Sequence, residues 1–169
     1  MKTLLENWLR NTVFPTVYGI DIRPWCKDLE EENIHIFIGS QEDREFLREV
    51  KKQIGQVDIL IDDGGHTMSQ QIVSLEEFFD LVKDDGIYLC EDCQTSYQES
   101  YGGAYKGETF IEYSKNLIDY LHSQYFETAE CPKNMYSDHM KAVSFFENIV
   151  VIEKKEKAVD SLAVVMANN

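Results

Sequence analysis

The sequence predicts an α/β fold: a mostly parallel sheet flanked by helices and closed by an antiparallel C-terminal hairpin. Three observations carry that prediction. β-rich runs alternate with amphipathic helical runs, the inner strand candidates are almost uninterrupted apolar stretches, and four successive strands end in acids or glycine.

In chain order, residues 16–22 (TVYGIDI) read as a strand stopped by Arg23-Pro24, and 34–38 (IHIFI) as a second strand stopped at Gly39. A helix is expected over 41–54, with Phe46, Leu47, Val50 and Ile54 on one face and Ser40 as its N-cap. Residues 57–61 form the next strand, ending in Asp62-Asp63-Gly64-Gly65-His66. A second helix places Ile72, Leu75, Phe79 and Val82 together and is terminated by Asp84-Asp85-Gly86. Residues 87–90 are a short buried strand ending in Glu91-Asp92, and 109–125 a third helix. Strands 142–146 and 149–152 turn through Glu147-Asn148 as a hairpin. Residues 1–154 are expected to make one domain, with 155–169 a frayed or swapped tail.

Composition narrows the function. Acidic residues outnumber basic ones 31 to 16, and the net charge of −15 repels phosphate backbones and anionic lipid, so neither nucleic acid nor membrane is expected as a partner. Glu6 and Arg10 interrupt the N-terminus before signal-peptide length, which points to the cytoplasm. Cys26, Cys90, Cys93 and Cys131 are expected to be reduced thiols. The Cys90/Cys93 pair lacks the second ligand pair of a zinc site, and the two carboxylates between the thiols do not suit a redox motif.

In parallel sheets ligands bind at the carboxyl ends of the strands, where Asp21, Gly39, Asp62-Asp63 and Glu91-Asp92 all fall. Asp21 can accept from ribose hydroxyls or simply prepare the turn. Adjacent acids at a buried strand end repel and lose hydration, which calls for a cation or ligand. Asp63, Glu91 and Asp92 would converge as hard oxygen ligands with open positions, suited to Mg²⁺ and also to Mn²⁺ or Ca²⁺; the alternative is an acidic cleft without metal. His66, three residues after Asp63, would return to the same cleft, or else cap a helix. Tyr97, Tyr101 and Gly102-Gly103 read as a lid or as a surface loop. His35, His122 and His139 are expected to be structural, and Trp8 and Trp25 packing residues.

The run IDDGGH, followed by EDCQTSYQESYGG, resembles the metal-dependent S-adenosylmethionine (SAM) O-methyltransferases of macrolide sugars and the related cephalosporin hydroxylase-like proteins. VYGIDIRP, FIGSQED, FIEYSKNLIDYLH and SFFENIVVIEK fit the same order, from about Trp8 to Lys154. The resemblance implies a Rossmann-like methyltransferase sheet, SAM and Mg²⁺ as cofactors, and a small glycosylated or polyhydroxy metabolite as substrate. It assigns Asp21 to the SAM ribose, Gly39, Ser40 and Gln41 to the adenine border and Asp62 to the cofactor site. It assigns Asp63, Glu91 and Asp92 to the metal, and His66 to general-base catalysis. The family's first strand and glycine-rich loop have no counterpart, since no glycine precedes Gly19, so the sheet is expected to be N-terminally truncated. Open edges would then favour a homo-oligomer. A chain of this kind that no longer holds SAM would be a non-catalytic binding or assembly protein.

Overall fold

A computed structural model describes residues 16–127 and 133–155. Its strands are β1 (Val17–Asp21), β2 (Ile34–Ile38), β3 (Val57–Asp62), β4 (Val82–Cys90), β5 (Met140–Phe145) and β6 (Val150–Lys154). Its α-helices are α1 (Arg44–Ile54), α2 (Met68–Phe78), α3 (Phe110–Leu121) and the short α4 (Met135–His139). β1 and β2 pair in parallel as one two-stranded sheet; the second sheet has the order β3-β4-β6-β5, with β3 and β4 parallel and β6 antiparallel to both neighbours. The expected C-terminal hairpin is present, closed by Phe146 N–H donating to the Ile149 carbonyl at 2.8 Å.

The apolar stripes predicted from spacing make the core. Leu47 and Val50 of α1, Leu75 and Phe78 of α2, Phe110 and Leu117 of α3 all pack with Tyr88, Val150 and Ile152 of the sheet. Burying side chains of this size is worth ~1.5–3 kcal/mol each before entropy is charged. Helix starts are fixed by side-chain caps. Thr67 and Gln70 form a reciprocal capping box on α2, and Thr109 caps α3. α1 starts three residues later than expected: Asp43, not Ser40, accepts from the Glu45 and Phe46 N–H groups.

The largest departure concerns Asp84-Asp85-Gly86. These residues do not end a helix. α2 stops at Phe78, a 3-10 turn spans Phe79–Leu81, and Val82 already belongs to β4. Residues 83–86 are a bulge opposite the single Asp58, with Asp85 at φ 64°. The buried Lys154 holds this corner, donating to the Val82 carbonyl at 2.6 Å above the Phe79 ring. A buried lysine charge is costly, and burial pulls its pKa down. The third helix is also shorter than expected, ending at Leu121 before a 3-10 turn over Ser123–Tyr125.

α1 and α2 are joined by charge. Arg44 donates to Glu77 at 2.9 Å and to Glu76, and Arg48 donates twice to Glu77, at 2.9 and 2.7 Å. The Arg48 and Arg44 guanidiniums hold the Glu77 carboxyl below its ordinary range. Trp25 is not a packing residue: it is 64% exposed beside the Arg23 guanidinium. Trp8, Cys131 and the tail beyond Lys155 lie outside the described residues. Among the described residues no helix is long and apolar enough to cross a membrane.

Candidate metal and catalytic site

The carboxyl ends of β1, β2, β3 and β4 lie at one end of the fold, and the sequence-predicted residues fall there. β3 ends at Asp62, whose carbonyl accepts from Glu91 N–H at 2.9 Å, so the two acidic strand ends are locked side by side. Past them, His66 at φ 61° and Asp92 at φ 52° are both left-handed, a conformation that costs a residue with a Cβ about 1 kcal/mol or more. Such strain persists only where the surroundings over-determine it. Here the two turns bring Asp63, His66 and Asp92 together, with one ligand atom of each within 4.8 Å of the others. His66 Nε2 lies 3.4 Å from Asp92 Oδ2 and 4.0 Å from Asp63 Oδ1.

Glu91 stands just outside this group. Partial burial, then the charges of Asp63 and Asp92, push its carboxyl up. The tight trio contains His66, where the sequence reading grouped Glu91 with the two aspartates. Donors this close are near the ~4.2 Å limit for opposite ligands of an ion bound at ~2.1 Å, so small side-chain rotations would close the set. Two carboxylates with a third nearby fit a hard divalent cation. The imidazole is the softer member. Its Nδ1 is buried with no hydrogen-bond partner, so among the described residues the protein fixes only the Nε2 side, toward the carboxylates.

The supporting shell was not read from sequence. Gln71, buried on α2, donates to the Glu91 carbonyl at 3.0 Å. Gln94 donates to Asp92 Oδ1 at 3.0 Å, and Thr95 Oγ1 to the Asp92 carbonyl at 2.9 Å. A glutamine on the buried face of an apolar helix was the available signal for Gln71. The segment read as a lid or a surface loop forms two short 3-10 turns, Cys93–Tyr97 and Glu99–Tyr101, with Cys93, Thr95 and Ser96 buried. Gly103 is wedged against the Thr95 carbonyl, where an added Cβ would lie at 2.2 Å, while Gly102 takes the left-handed φ of 79° that ends the second turn.

The residues expected at a cofactor divide. Gln41 is an internal clamp: its Nε2 donates to Asp62 Oδ1 at 2.9 Å and Ser74 Oγ at 3.1 Å, while its Oε1 accepts from Gly65 N–H at 2.6 Å. Gly64 is required by that clamp, since a Cβ there would sit 1.9 Å from Gln41 Oε1. Asp62 turns inward, taking a second bond from Tyr88 O–H at 3.2 Å, and burial pushes its carboxyl up to about 6. Gly39 packs against Phe46, whose ring leaves no room for a Cβ. Ser40 Oγ accepts from Glu42 N–H at 3.4 Å, beside Gly39 in the β2–α1 turn. Asp21 stands half-buried at the end of β1 and holds Arg23 in a fork, 2.9 Å to Oδ1 and 2.6 Å to Oδ2. That fork holds its carboxyl well below the usual carboxylate range.

A search of family models finds no match. Relatives and solved structures do match. The chain is 35% identical, over 157 residues, to the Streptomyces olivaceus 8-demethyl-8-(2-methoxy-alpha-L-rhamnosyl)-tetracenomycin-C 3'-O-methyltransferase, covering 89% of this chain and 40% of that protein. The chain is a relative of the sugar O-methyltransferases. It is also 29% identical over 143 residues to the mycinamicin VI 2''-O-methyltransferase of Micromonospora griseorubida, covering 82% of this chain and 36% of that protein. Its fold matches the crystal structure of MycE methyltransferase from the mycinamycin pathway in complex with Mg and SAH, at a TM-score of 0.78 and 27% identity. That match covers 83% of this chain and 38% of the MycE chain. The chain thus spans about two fifths of the length of the relatives it matches.

Proposed function

We propose that this chain carries the metal-binding and proton-accepting part of a SAM-dependent O-methyltransferase that acts on a sugar hydroxyl of a small glycosylated metabolite. The observation that carries the reading is the Asp63–His66–Asp92 group at the strand ends of a fold shared with MycE, whose crystals hold Mg, SAH and mycinamycin VI. The relatives' O-methyltransferase names support the reaction class.

In this reading Asp63 and Asp92 hold the cation and Glu91 turns in as the third carboxylate. When bound, Mg²⁺ and SAM supply Lewis acidity and the electrophilic methyl group. His66 Nε2 accepts the hydroxyl proton as the acceptor oxygen takes the methyl, and Asp63 and Asp92 then flank the imidazolium. Asp21 receives the ribose, for which Arg23 must release its fork. Gly39, Ser40 and Asp62 shape the floor of that pocket, and Gln41 acts by holding Asp62 and the Gly65 turn in place. We place the protein in the cytoplasm with a second copy of itself as partner, and expect neither nucleic acid nor membrane to bind so acidic a chain.

The occupied Asp21 favours one competing reading, a methyltransferase-like binding protein without SAM. Calorimetric titration with S-adenosylhomocysteine, with and without millimolar Mg²⁺, separates the two. The proposal expects binding that Asp21→Ala abolishes; heat absent at every metal concentration favours the non-catalytic reading.

A further inference from the structure

The two oxygens of the Asp92 carboxylate have different neighbours. Oδ2 lies 3.4 Å from His66 Nε2, on the side of the candidate cation site. Oδ1 accepts a hydrogen bond from Gln94 Nε2 at 3.0 Å. The Gln94 amide can meet a carboxylate only through its NH2 group, because its oxygen carries no proton and would be repelled. Burial does not fix this carboxylate, since the Asp92 side chain is 45% exposed. The hydrogen bond does, and one made to a charged acceptor is among the stronger that a neutral side chain offers.

The backbone beneath the carboxylate is pinned on both sides. Glu91 N–H donates to the Asp62 carbonyl at 2.9 Å, and the Glu91 carbonyl accepts from Gln71 at 3.0 Å. Asp92 takes a left-handed φ of 52°, and its carbonyl accepts from Thr95 N–H at 3.1 Å and from Thr95 Oγ1 at 2.9 Å. Cys93 N–H donates to the Asn148 carbonyl at 2.9 Å. What remains to the carboxylate is rotation about its own side-chain bonds, and Gln94 removes that freedom. The ions that suit such a site differ in how they use a carboxylate. Mg²⁺ demands a near-ideal octahedron at ~2.0–2.1 Å, which one oxygen from each carboxylate fits. Ca²⁺ takes about six to eight oxygens at ~2.3–2.6 Å and accepts both oxygens of one carboxylate. An Oδ1 committed to Gln94 reaches a cation only by giving up that bond.

We propose that Gln94 is a positioning residue that selects the ion: by holding Asp92 Oδ1 it leaves Oδ2 alone for the cation, which favours Mg²⁺ over Ca²⁺. This rests on the reading of Asp63, Glu91 and Asp92 as the ligands. Calorimetric titration of the full chain with Mg²⁺ alone and with Ca²⁺ alone, without SAM or acceptor, tests it in wild type, Gln94→Met and Asp92→Asn. Methionine matches the length of glutamine but donates nothing; Gln94→Ser, which admits water, repeats the test should methionine disturb the turn. Losing an outer-shell partner typically weakens a metal site ~10–100-fold, and the Gln94 variants should lose Mg²⁺ affinity by that factor. Their Ca²⁺ affinity should hold or rise, because the freed Oδ1 can join the larger ion, so the Ca²⁺-to-Mg²⁺ affinity ratio should climb at least ~10-fold. Asp92→Asn should weaken both ions. Equal losses for the two ions in the Gln94 variants would make the residue merely structural, and unchanged affinities would remove it from the site; either result overturns the proposal while leaving the ligands in place. A wild-type chain that binds neither ion would overturn the ligand reading and this proposal with it.

Discussion

Replacing Gln41 with alanine should destabilise the protein before any ligand is added. Its amide makes three bonds, to Asp62 at 2.9 Å, Ser74 at 3.1 Å and Gly65 at 2.6 Å. The three losses are not equal. Gly65 is exposed, so water replaces its acceptor at little cost. Asp62 is 7% exposed and Ser74 4%, so no water replaces the donor, and a buried group left unpaired costs ~1–3 kcal/mol. The freed Ser74 hydroxyl can turn to Asp62 and recover part of that. The net expectation is ~2–3 kcal/mol, or about 5–10 °C in melting temperature for a chain of this size. Urea unfolding of wild type and Gln41→Ala in the presence of a chelator measures it. If the variant lies within ~0.5 kcal/mol of wild type while its affinity for S-adenosylhomocysteine collapses, the clamp is wrong and the amide belongs to the cofactor.

Further expectations follow from the same geometry. Asp62, at about 6 in the folded chain against 3.8 ordinarily, is favoured in its neutral form. Its contribution is therefore complete below pH ~4 and lost as pH rises through 6, ~3 kcal/mol in all, and chelator-treated Asp62→Asn should lack that falling limb in a pH series of melts. Millimolar Mg²⁺ should raise the melting temperature of wild type but not of Asp63→Asn or Asp92→Asn; equal gains in all three would remove the metal from this site. Gly39→Ala should cost ~1–3 kcal/mol because its Cβ would stand 2.5 Å from the Phe46 ring, and Phe46→Leu should recover much of that in the double variant. In whatever form of the protein transfers methyl groups, His66→Ala should lower turnover ~10²–10⁴-fold while Mg²⁺-induced stabilisation persists; an unchanged rate would make the histidine structural.

Local pattern determined much of this protein. Among the described residues, period-3.6 apolar spacing located the three long helices, and uninterrupted or alternating apolar runs located the strands, because a face that must be buried repeats at the period of its own backbone. The acidic strand ends and the IDDGGH turn marked the site, since paired carboxylates beside glycines are costly without a ligand. What the sequence could not carry depends on partners distant along the chain. Residues 82–85 continue a helical spacing, yet Val82 sits opposite Val57 and Lys154 caps its carbonyl from 72 residues away, so the segment becomes strand and bulge. Gln41 and Asp62 look independent along the sequence until the fold brings them within 2.9 Å and ties one to the other. His66, and not Glu91, enters the tight trio because two left-handed residues turn the loops after β3 and β4 toward each other.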